Sequence, residues 1–245
     1  MCWNYEVSLG FSVLYLVINT YYLFRKPPYW REYLMFGMFY FIMEAFQTAQ
    51  WLYGNVYIPA DQTNTLANHG TYMCDKTNMQ FTVFAHILIW LQPILFSYIG
   101  YRTSNEINKR FLKYLLITDF VVFLYSLLML YIGFYKYDYY SIDDSIFGLS
   151  TCTNQGRTGH LVWRFKPASI DYFPNYLMYL VMCMLAFFLY DKSQTKIIGY
   201  GWLASLVITK LVLRPSLLEI ASSWCLLSII ANIMIFVYLQ FKRNQ

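Results

Sequence analysis

Glu44 and Gln47 lie three residues apart in the apolar run EYLMFGMFYFIMEAFQTAQWLY at 32–53, and Gln50 follows after three more. On a helix that spacing puts Glu44 and Gln47 on one face. A carboxyl in the middle of a run long enough to cross a bilayer costs ~3 kcal/mol on insertion scales. Such a group needs a partner, a proton, an ion or a ligand. Other polar residues fall at comparable depth or just above. They are His86 and Gln92 in the third apolar run, His160 and Trp163 in a long segment before the fifth, and Glu219, Trp224 and Cys225 in the last. Pro93 removes an amide beside Gln92 and frees a carbonyl for an ion, a water or a side chain.

These residue types support a short list of chemistries. Glu44, His86, His160 and Glu219 could hold Zn²⁺ through oxygen and nitrogen and leave one position for an activated water. A lipid ester or headgroup is the natural substrate at that depth. The chain has three histidines in all, His69, His86 and His160, and two of them fall in expected loops. Zinc is therefore admissible but not indicated. A retinal Schiff base on Lys210 is disfavoured, because this lysine sits near the outer end of its helix. Each residue also has a plainer reading. Glu44 can stay neutral and bond Gln47, and His86 can be a hydrogen-bonded core histidine. Asp119 can pair with Lys113, and Asn232 can bond a neighbouring helix.

The elements that position these groups follow from composition and punctuation. Of 245 residues, 58% are hydrophobic, 21% aromatic and 13% charged. Soluble domains carry about 25% charged residues, so this is a membrane composition. The net charge of +5 comes from lysines and arginines gathered in particular loops, which is an orientation signal and excludes a nucleic-acid partner. No CxxC pair occurs among the five cysteines, which removes a zinc ribbon or a thioredoxin-type site. The first apolar run lacks a preceding basic region and reads as a transmembrane helix, not a leader.

Seven continuous apolar segments predict an all-α, polytopic, seven-transmembrane-helix bundle forming one membrane domain, 1–245. The helices are expected at about 5–24, 32–53, 80–101, 111–135, 171–190, 197–213 and 217–241, with long outer loops at 54–79 and 136–170. Barrel strands would alternate over ~10 residues, and these runs do not. Pro27-Pro28 breaks the chain after the first helix, Pro215 stops the sixth, and Ser216 can cap the seventh. The loops after helices one, three and five, with the tail, hold most of the Lys and Arg. The N-terminus is thus expected outside and the C-terminus in the cytosol. In that orientation the candidate groups gather in the outer half, as a polar pocket. A Cys74–Cys152 disulfide would pin the aromatic-rich loop 136–170 over its mouth.

Several short strings carry a resemblance. They are Met1-Cys2-Trp3, Met43-Glu44-Ala45-x-Gln47, His86-Ile87 with Gln92-Pro93, Cys152-Thr153, Gly159-His160-x-x-Trp163, Glu219, and Trp224-Cys225-Leu226-x-Ser228-Ile229. In this order they resemble a family of uncharacterised seven-transmembrane proteins that begin Met-Cys-Trp, from bacteria, fungi, algae and large DNA viruses. Asn4 departs from the serine expected there. The resemblance implies the fold and the site residues, and no reaction.

The expected function is an integral multi-pass membrane protein that binds a small molecule, a lipid headgroup or an ion in the outer pocket, as a receptor, sensor or transporter. A metal-dependent lipid hydrolase, an ion or proton channel, and a structural membrane or virion protein are the alternatives. The lipid bilayer is the expected partner. A homo-oligomer fits the same reading, and so does a cell, endomembrane or virion location.

Overall fold

In the computed structural model, which describes residues 4–56, 75–136, 151–156, 159–164, 176–213, 229 and 232–238, helices dominate. Asn4 starts the first. Its side chain accepts from the Val7 amide at 2.9 Å and caps α1, Tyr5–Arg25. Serine would do the same work, so the departure at position 4 is conservative. α1 ends where Lys26 turns left-handed (φ 43), just before Pro27-Pro28, and α2 runs Trp30–Tyr53.

Asp75 opens α3, Lys76–Thr103, by accepting from the Asn78 amide at 2.7 Å. Asn105 opens α4, Glu106–Lys136, by accepting from the Asn108 amide at 3.0 Å. Both helices start four or five residues earlier than their apolar runs suggest. Polar first turns hide a helix from a hydropathy reading, and capping residues reveal it. α5 is Tyr176–Phe188. α6 is Ser193–Ile208 and continues into a wider π turn at Thr209–Leu213; a last helical stretch, α7, covers 232–238. The expected stop at Pro215 and cap at Ser216 lie outside the described residues.

One departure from an all-helical chain lies in the expected loop 136–170. There β1, Cys152–Gln155, pairs antiparallel with β2, Leu161–Arg164, in the register Thr153 opposite Trp163. Strands of four residues are too short to show an alternating pattern. The Gly156 amide donates to the His160 carbonyl at 2.7 Å, and Gly159 takes φ 82, a value that only glycine adopts without strain.

α1 and α4 turn many apolar side chains outward and several polar ones inward, beside a core of aromatic and aliphatic residues. The buried positions of α1 are Ser8, Ser12, Tyr15, Ile18, Asn19 and Tyr22, spaced at threes and fours. Leu9, Val13, Leu16, Val17 and Phe24 face outward. α4 exposes Phe111, Ile117, Phe120, Val121, Leu124 and Leu128, and buries Leu112, Asp119, Val122 and Ser126. α3 lies at the centre, against α2, α4, α5, α6 and the hairpin. Its polar residues Asn78, Thr82, His86, Gln92, Ser97 and Thr103 are all buried. At 100° per residue they share one sector about 140° wide.

Candidate functional site

α2 brings its polar residues to one interior stripe. Glu44, Gln47 and Gln50 are each 0% exposed, alongside Tyr40 and Met43. The stripe runs up to the hairpin, which is held by a connected set of hydrogen bonds. Thr153 is its hub. The Thr153 amide donates to Asn78 Oδ1 at 2.7 Å, and Asn78 Nδ2 donates to the Thr153 carbonyl at 2.8 Å. The Thr153 hydroxyl lies 2.7 Å from that of Thr82 and accepts from Gln50 Nε2 at 2.8 Å. Trp163, opposite Thr153 on the same face of the ladder, donates Nε1 to Gln50 Oε1 at 3.0 Å. Both ends of the Gln50 amide are thus used. Asn78 Nδ2 also reaches the Asn55 carbonyl at 3.1 Å, and Asn55 Nδ2 donates to Asp75. The loop after α2, the start of α3 and β1 are in this way tied at one point.

Lower on α3 the polar residues turn to other helices. His86 Nε2 lies 3.0 Å from Ser126 Oγ on α4, with the Trp90 ring beside it. Gln92 Oε1 accepts from the Tyr179 hydroxyl on α5. Ser97 donates to Asp119 Oδ2 on α4 at 2.5 Å. The alternative partner, Lys113, is exposed. His86 and Ser97 are eleven residues apart, and Asp119 and Ser126 seven, so both pairs sit on one α3–α4 seam.

Trp163 meets Gln50 at the hairpin, while His86 and Gln92 bond α4 and α5. His160 is fully buried at the hairpin turn, where its carbonyl closes the turn. Among the described residues no three His, Cys, Asp or Glu side chains gather as a metal would require, so Glu44, His86 and His160 form no such group. Glu219, Trp224 and Cys225 lie outside the described residues. Cys152 is in a disulfide; its expected partner, Cys74, is likewise outside them. Cys183 is a buried free thiol, and Lys210 is exposed in the π turn. Gln50, expected on the Glu44 side of its helix as part of a polar path, instead anchors the hairpin. Asn78, Thr82, Thr153, Tyr179, Ser97 and Ser126 do not appear among the candidates read from the sequence. The Asn78–Thr82–His86 spacing of four was the available signal for the first two.

Fold and site together define a mostly helical protein with an apolar exterior and polar side chains set into an aromatic and aliphatic core. Among the described residues, Tyr5–Arg25, Lys76–Thr103, Glu106–Leu128 and Thr195–Val212 are long and apolar enough to cross a membrane. The chain belongs to a family of unknown function, DUF5765, whose pattern covers residues 6–245. It is 56% identical over 244 residues to "Uncharacterized protein R287" of Acanthamoeba polyphaga mimivirus, covering 100% of this chain and 98% of that protein. The resemblance to an uncharacterised family with members in large DNA viruses thus holds. No solved structure matches.

Proposed function

We propose that the chain is a seven-span integral membrane protein, N-terminus outside, whose α2 stripe binds a small polar molecule, a lipid headgroup or an ion beneath the hairpin. It would act as a receptor, sensor or carrier. The observation that carries this reading is Glu44 with Gln47, fully buried on a helix whose outer end is closed by a hydrogen-bonded hairpin. An intramembrane ionisable group marks a site more often than a scaffold. The outward apolar side chains of α1 and α4 support the membrane part of the reading. α2 is 24 residues long, yet it is not among the four segments apolar enough to cross unaided. A helix whose polar stripe is covered by neighbours can still span, because lipid meets only its other face.

The test is ligand-dependent stability in nanodiscs. Phosphocholine, phosphoserine, Na⁺, K⁺ and Zn²⁺ would be added singly to the protein and to Glu44→Gln. A ligand at a hundred times its Kd stabilises by about 2.7 kcal/mol. At least one probe should raise the Tm of the parent and not that of the variant. No differential response to any of them removes Glu44 from a binding role.

A further inference from the structure

Asp119 is a second buried carboxyl, held by elements other than those around Glu44. It lies within Glu106–Leu128, one of the segments apolar enough to cross a membrane, and it is 1% exposed. Three helices supply its surroundings. From α3, Ser97 Oγ donates to Oδ2 at 2.5 Å. From α5, the buried Cys183 thiol lies within electrostatic reach and itself bonds Tyr179. The Tyr179 hydroxyl is given to Gln92 Oε1. Among the described residues, Asp119 Oδ1 has no hydrogen-bond partner.

The remaining titratable groups on these elements are engaged elsewhere or face away. His86 on α3 bonds Ser126, two turns along α4 from Asp119. Tyr190, just past α5, donates to the Phe96 carbonyl at 2.6 Å. On α4, Lys113 is exposed and Lys109 pairs with Glu106 at 3.3 Å. Among the described residues, the ion pairs of this region are Lys109–Glu106 and Arg102–Glu32, and neither includes Asp119.

A carboxylate here would carry its charge in the protein interior with one hydroxyl donor and no ion pair among the described residues, the arrangement most costly to bury. A hard metal cation would need about six oxygens around it. Here the neighbours supply one carboxyl and one hydroxyl, while the nearby phenol and amide satisfy each other. A proton needs one atom and no cavity. We propose that Asp119 is a proton-binding site at the α3–α4–α5 seam, occupied in the folded protein at neutral pH and distinct from the Glu44 stripe.

Infrared spectra of the full chain in nanodiscs, in H2O and D2O at neutral pH, test this. The parent minus Asp119→Asn should show the C=O stretch of a protonated carboxylic acid that shifts in D2O. Carboxylate stretches in its place would overturn the proposal, and their movement on adding Na⁺ or K⁺ would give the site to a metal cation. If Asp119→Asn does not fold, Ser97→Ala carries the test. Losing the hydroxyl against the carboxyl should shift the acid band. An acid band that Ser97→Ala leaves unmoved would likewise overturn the proposal.

Discussion

Asn78 shows how one side chain can hold two elements together. Its amide bonds both the N–H and the C=O of Thr153, so truncation orphans two buried backbone groups at once. Orphaned buried partners cost ~1–3 kcal/mol each. Asn78→Ala should lower the unfolding free energy by about 2–6 kcal/mol, read by thermal denaturation in detergent. Hydrogen exchange at Thr153 and Asn154 should accelerate with it. Unchanged exchange there would mean that other contacts seat the hairpin. Residues such as Asn78 were hard to find because polarity at a helix start reads as loop. Glu44 was easy, since a charge in an apolar run stands out whatever surrounds it.

Between elements, α1 and α2 pack tightly at Gly37. A Cβ added at Gly37 would lie 2.1 Å from Asn19 Oδ1. Small residues at helix contacts let backbones come together, and this glycine admits a buried amide. Asn19 itself, 1% exposed, has no hydrogen-bond partner on either end among the described residues. Gly37→Ala should therefore destabilise by about 1–3 kcal/mol, and Asn19→Ala alone should be neutral or stabilising. In the double variant the overpacking is relieved, giving a coupling of about 1 kcal/mol or more. Strict additivity in chemical or thermal unfolding would show that the two side chains do not meet. The mostly helical character of the chain was legible in its apolar runs. The helix ends were not, because Glu106, Asn108 and Lys109 form a polar helical turn that hydropathy assigns to a loop. Partner choice along α3 was also hidden: sequence gives a face, and only packing decides that His86 looks to α4 and Gln92 to α5.

Over the whole molecule, the outside is more apolar than a soluble surface would be. Val121 is 58% exposed and Leu124 48%, on the face of α4 opposite Asp119 and Ser126. If lipid covers this face, Val121→Arg adds about 2.5–3.5 kcal/mol to insertion. The variant should then be depleted from the carbonate-resistant membrane fraction, whereas Lys113→Ala, at an exposed position nearer the helix start, should not be. Equal membrane fractions for Val121→Arg and the parent would place that face away from the hydrocarbon.

The hairpin also has a consequence for self-association. A two-stranded ribbon leaves one edge of each strand open, and open edges recruit further strands from other copies. Thr153 points its amide and carbonyl away from β2, which would make that edge of β1 adhesive. The Asn78 amide fills it as a third strand would. A helix side chain thus terminates the sheet, and β1 is closed to strand addition at Thr153 for as long as α3 stays seated.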